Sequence, residues 1–212
     1  MLKHLAHRTI LATAFLASTA EAHMGADGLS HAHDTLGSFM VGIAHPLTGL
    51  DHLAAMVSVG LWSALSLGGK TSSMGGPGRL LSVPLAFATT LLLGALMALN
   101  GVALPGVEPM IAASLLALGL LVAARIELPT GIGAALVAGF ALFHGLAHGQ
   151  ELGGQAGTAL TGMVLSTLVL HAAGIGLGLA LRQHSRWLPR VAGIGVATFG
   201  LGLLSPAIAV VF

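Results

Sequence analysis

The chain contains no cysteine. That excludes disulfides, thiolate metal sites and a cysteine nucleophile. Charge is nearly as scarce: only 7% of the 212 residues are Asp, Glu, Lys or Arg, where a soluble domain carries about a quarter. So little charge cannot cover a water-facing surface of this size, which leaves an all-α, lipid-embedded helical bundle as the natural class. The formal net charge of +1 offers no basic surface, so nucleic acid is not an expected partner. No GxxxxGKS/T run occurs, so nothing points to ATP-driven work. No segment alternates apolar and polar residues over strand length, which argues against a barrel.

What the chain has instead is apolar: 55% of residues are hydrophobic and the mean hydropathy is +0.94. Its 31 glycines suit close approach of membrane helices. Histidine is over-supplied, with eleven against eight Lys plus Arg.

The organisation follows from where the apolar runs stop. Lys3 and Arg8 precede a short apolar run from Thr9 to Thr19, and Ala20-Glu21-Ala22 matches a small-x-small cleavage site. Residues 1–22 therefore read as a cleavable signal peptide. A polar, histidine-rich stretch over 23–35 follows, with His23, His31 and His33. The remainder, 36–212, holds six apolar segments at roughly 36–67, 79–100, 108–124, 131–148, 157–181 and 188–211, each long enough for a transmembrane helix. Gly, Pro and charge fill the breaks between them. Lys70 and Arg79 flank the first loop, Arg125 the third, and Arg182, Arg186 and Arg190 the fifth, while the second and fourth loops hold no Lys or Arg. The positive-inside rule then expects those three loops in the cytoplasm and the mature N-terminus outside, in the periplasm of a bacterial inner membrane.

An ionisable group at the bilayer centre costs roughly 2.5–3.5 kcal/mol on insertion scales, so those found inside apolar segments are functional candidates. The first segment carries His45-Pro46-Leu47-Thr48-Gly49-Leu50-Asp51-His52. His45 and His52, seven apart, return to nearly one helical face, with Asp51 beside them. Pro46 frees the carbonyl of Gly42, so the helix is expected to kink or open there, as broken helices do around transport sites. The fourth segment ends in Phe143-His144-Gly145-Leu146-Ala147-His148-Gly149-Gln150-Glu151. His144, His148 and Glu151 share one stripe if the helix runs that far. His171 sits mid-way along the fifth segment, and Glu108 opens the third on the outer side. Imidazole nitrogens with carboxylates suit Ni²⁺, Co²⁺ or Zn²⁺. A metal-dependent hydrolase would use the same pair His144 and His148, but Gly145 stands where the HExxH general base belongs. A haem carrier would leave the accompanying carboxylates unexplained.

These motifs resemble the HupE/UreJ family of hydrogenase and urease accessory proteins, regarded as nickel permeases. The run HPLTGLDHLAAMVSVGLWSA at 45–64 is similar to the family pattern HPxxGxDHxxxMxxxGxxxA, and FHGLAHGQE at 143–151 resembles FHGxAHGxE. The resemblance implies a six-helix secondary permease and not an enzyme. Its transported substrate would be Ni²⁺ or Co²⁺, with no fixed cofactor, supplying a nickel enzyme. It implies His45, Asp51, His52, His148 and Glu151 as transport residues, with His144 in the same motif. Phe87 and Glu108 are carried over by position. Cleavage after Ala22 would also make His23 the N-terminal residue, whose amine and imidazole could chelate metal with His31 or His33.

Overall fold

The computed structural model describes residues 34–66, 77–152 and 155–205. The expected signal peptide and His23, His31 and His33 lie outside the described residues. Seven helices make up the described part: α1 (Thr35–Thr48), α2 (Leu50–Ser66), α3 (Pro77–Leu99), α4 (Val107–Ala124), α5 (Thr130–Glu151), α6 (Ala156–His184) and α7 (Trp187–Leu204). By length and composition, α4 and α5 and the stretches Leu80–Leu99 and Ala156–Arg182 can cross a membrane, and α2 and α7 contribute shorter apolar helices.

The first apolar segment, expected to kink or open at Pro46, is two helices parted at Gly49. α1 starts on Asp34, whose carboxylate accepts from the Gly37 N–H at 2.9 Å and satisfies one of the first turn's orphan donors. It ends two residues after Pro46, which takes a backbone donor away. Gly49 then adopts extended geometry, φ −82° and ψ 112°. A Cβ on Gly49 would come within 3.0 Å of Asp51 Oδ1 and 3.1 Å of His52 Nδ1, so glycine at the break keeps room for the residues that follow. Both pieces lie along α6: Gly42 against Ala159, and Gly60 against His171.

The principal packing pairs are α3 with α5, α4 with α7, and the α1–α2 segment with α6. Glycine permits each of them. A Cβ at Gly145 would strike the Leu91 carbonyl, one at Gly174 the Val57 carbonyl, and one at Gly119 the Ala197 nitrogen. In lipid, association depends on such close backbone contact rather than on apolar burial. The contacts make α3 and α5 parallel, α2 and α6 parallel, and α4 and α7 antiparallel.

The bundle has two distinct ends. At one, Thr35 Oγ1 donates to Gln155 Oε1 at 3.0 Å and His45 meets Glu151. At the other, the indole of Trp62 donates to Ile126 O at 2.8 Å, Arg125 Nη2 to Ser185 O at 3.1 Å and Arg182 Nη1 to Ala64 O at 3.3 Å. Arg186 and Arg190 join this arginine end at the start of α7. Between the ends the outer surface is apolar, with Leu136, Leu165, Val169, Ile194 and Leu201 exposed. The interior is filled by Met56, Trp62, Phe87, Leu91, Leu115 and Met163.

Candidate metal-ion site

After the break at Gly49, Asp51 and His52 in the first turn of α2 are buried, and α5 holds helical geometry through Glu151. Six of the expected residues therefore converge at the histidine end. His45 Nε2 and Glu151 Oε2 are 2.8 Å apart, with side chains 29% and 35% exposed. Beneath them lies His148, fully buried, its ring centroid 4.8 Å from His45 and 4.3 Å from His52. His144 is a further layer down, also fully buried, with its ring 5.0 Å from His52. One ligand atom each from His45, His148 and Glu151 falls within 4.8 Å of the other two. The set is graded, from partly exposed at its mouth to fully buried at its floor.

The hydrogen bonds decide which nitrogens carry lone pairs. The Asp51 carboxylate accepts from the His52 backbone N–H and from His52 Nδ1, both at 2.9 Å. A carboxylate only accepts, so Nδ1 bears the proton and the lone pair of His52 is on Nε2. Ser114 Oγ donates to Ile111 O at 2.6 Å and lies 2.9 Å from His144 Nε2. A hydroxyl has one hydrogen. Ser114 therefore accepts from His144 Nε2–H, and the lone pair of His144 is on the buried Nδ1, which has no partner. Neither nitrogen of His148 has a hydrogen-bond partner, although both are buried. Unpaired buried polar atoms in a native fold ask for an explanation. Imidazoles held in one tautomer by a second hydrogen bond are the usual form of a metal-ligating histidine.

Phe87 and His171 extend the site inward. Phe87 is fully buried, its ring 5.6 Å from His144 and 5.1 Å from His171. His171 Nδ1 donates to Met56 O at 2.8 Å, which ties α6 to α2, and its Nε2 is buried without a partner. Glu108 is exposed in the first turn of α4, and no described contact joins it to the cluster. Sequence reasoning missed Ser114 and Gly49's steric role. A single serine in an apolar run has no motif to announce it.

Nitrogen donors with two carboxylates, Asp51 and Glu151, match the borderline divalent ions Ni²⁺, Co²⁺ and Zn²⁺. The carboxylates offset the charge of a cation that gives up its water in an apolar surround. Fold and site together define an apolar, all-helical bundle of membrane-protein character with a histidine–carboxylate cluster opening at one end. The chain matches the model of the family described as HupE / UreJ protein over residues 11–203. It is 40% identical over 199 residues to Protein HupE of Rhizobium leguminosarum bv. viciae, covering 92% of this chain and 95% of that one. This protein belongs to the HupE/UreJ family. No solved structure matches it.

Proposed function

We propose that this protein is a six-span secondary permease of the bacterial inner membrane. It carries Ni²⁺ inward, with Co²⁺ as the alternative cargo of the same donor set, and supplies a nickel enzyme such as a hydrogenase or urease. The arginine end is cytoplasmic, as the positive-inside rule requires. The histidine end faces the periplasm, and the α1–α2 segment and α7 complete the six spans.

The observation that carries this reading is the convergence of His45, Asp51, His52, His144, His148 and Glu151, from two apolar segments far apart in sequence, at one end of the bundle. A fixed structural metal would be served by a closed shell. Here Glu151 and His45 stay partly exposed, which gives an ion a way in. An inward potential of about 100 mV is worth about 4.6 kcal/mol for a divalent ion, enough for accumulation without ATP.

The test is uptake of radioactive nickel, and separately cobalt, by cells expressing wild type, Asp51→Asn or His148→Ala at matched membrane levels. Wild type accumulates metal and both variants lose it. Absence of uptake by wild type for either ion, or full uptake by both variants, refutes the proposal.

A further inference from the structure

The polar side chains at the histidine end stand in series. Ring contacts run from His45 to His148 at 4.8 Å, from His148 to His52 at 4.3 Å, and from His52 to His144 at 5.0 Å. Glu151 closes the outer end of the row, 2.8 Å from His45. Ser114 closes the inner end, 2.9 Å from His144. His144 and Glu151 are both on α5, seven residues and therefore about 10 Å apart along its axis. Two donors on one ion lie at most about 4 Å apart, since each bond is about 2.1 Å long. One ion cannot use both ends of such a row without rearranging it.

The row divides into two donor sets. The outer set is His45, His148 and Glu151, one ligand atom of each lying within 4.8 Å of the other two. The inner set is three imidazoles, His52, His144 and His148. Asp51 accepts from His52 Nδ1 and Ser114 from His144 Nε2, which puts the lone pairs on His52 Nε2 and His144 Nδ1. Both hydrogen bonds engage the nitrogen away from the lone pair, so both survive metal binding. Three such nitrogens suit Ni²⁺ or Co²⁺, and the carboxylate of Asp51 behind His52 strengthens that donor and offsets part of the ion's charge.

The outer set is less ready. His45 Nε2 and Glu151 Oε2 are hydrogen-bonded to each other at 2.8 Å, and an ion entering between them must displace that bond. Donors fixed in advance hold a ligand more tightly than donors that must first part. The inner set is therefore the tighter one.

His148 belongs to both sets. Its two nitrogens are buried and neither has a hydrogen-bond partner, so no bond sets the side to which its lone pair faces. A neutral imidazole carries one lone pair, and His148 can complete one set at a time. A half-turn of the ring about Cβ–Cγ carries that lone pair across, with no proton transferred.

We infer that the cluster holds two ion positions that share His148: an outer entry position with His45 and Glu151, and an inner resting position with His52 and His144. The inference rests on the permease reading and adds a step to it, the hand-over of the ion inward on His148. Only one position is filled at a time.

The test uses the purified full-length chain with Ni²⁺ as the probe. His23, His31 and His33 are replaced by alanine so that they take none of it, and the cysteine-free chain offers no competing thiolate. Saturating Ni²⁺ loads one ion per chain, and X-ray absorption at the nickel edge counts three imidazoles. Glu151→Gln keeps that count and slows loading and release alike, by about ten-fold. His144→Gln lowers the count by one and weakens equilibrium binding at least about ten-fold. Should that variant fail to accumulate, Ser114→Ala, which leaves every ligand in place, weakens binding by about ten-fold. Two ions at saturation overturn the shared ligand. An equilibrium loss in Glu151→Gln as large as that in His144→Gln or Ser114→Ala overturns the inner resting position. Radioactive nickel uptake by cells expressing wild type, run alongside, separates the two failures. Uptake with either overturning result refutes the two-position arrangement alone, and no uptake refutes the permease and the hand-over together.

Discussion

Ser114 on α4 fixes the proton on His144 of α5: its Oγ, already donating to Ile111 O at 2.6 Å, accepts from His144 Nε2 at 2.9 Å. The histidine thereby turns its lone pair, on Nδ1, to the other side of the ring. Partners of this kind are worth about 10- to 100-fold in metal affinity. Ser114→Ala should raise the half-saturating nickel concentration by about that factor, and Ser114→Thr should restore it, in initial-rate uptake assays. Equal half-saturation for Ser114→Ala and wild type would show that the hydroxyl only packs.

At the mouth, Glu151 and His45 are both partly exposed and 2.8 Å apart. Glu151→Gln removes the charge and keeps the shape. If the residue serves capture from solution, uptake at limiting metal should fall about ten-fold while the maximal rate is largely retained. A proportional loss of the maximal rate would place Glu151 in a later step.

The break at Gly49 makes a separate prediction. A Cβ there would press on Asp51 Oδ1 and His52 Nδ1 at 3.0 and 3.1 Å, contacts that a shift of a few tenths of an ångström can relieve. Gly49→Ala should therefore accumulate in the membrane near wild-type levels yet take up less metal. Gly145→Val meets the Leu91 carbonyl of the neighbouring helix, which cannot give way. Overpacking of this sort costs about 1–3 kcal/mol, so the thermal midpoint of the purified variant should drop and its membrane level with it.

The six-span arrangement is testable with the same cysteine-free background. Ala103→Cys, in the exposed turn between α3 and α4, and Ile126→Cys, between α4 and α5, should react with an impermeant thiol reagent from opposite faces of the membrane. Reaction from one common face would mean that α4 does not cross.

Much of this could be read in the sequence because lipid is a strict solvent. Apolar runs bounded by Gly, Pro and Arg marked α3 to α6 to within about three residues, and the start of α7, whose expected end at 211 lies outside the described residues. The stripe His144, His148, Glu151 needed only that α5 stay helical to its end, which it does. Other features depend on contacts between segments, which no local pattern encodes. The sequence pointed to disruption at Pro46, but the chain leaves helical geometry at Gly49, where space beside Asp51 and His52 decides. Ser114 and the carbonyl of Met56 became part of the site only when α4 met α5 and α6 met α2. The pairing of helices was equally hidden, since glycines occur throughout and only the assembled bundle shows which ones touch.

The parallel pairs impose an order on how the chain is made. Two parallel helices cannot be consecutive, so α2 finds its main partner only when α6 has been synthesised, and α3 waits for α5. A nascent chain halted after α5 would have brought the whole histidine–carboxylate cluster into the bilayer while the segment bearing half of it still lacked its principal support. For part of its biogenesis this protein therefore holds its polar groups in lipid on weaker neighbours, until α6 locks the first segment in place.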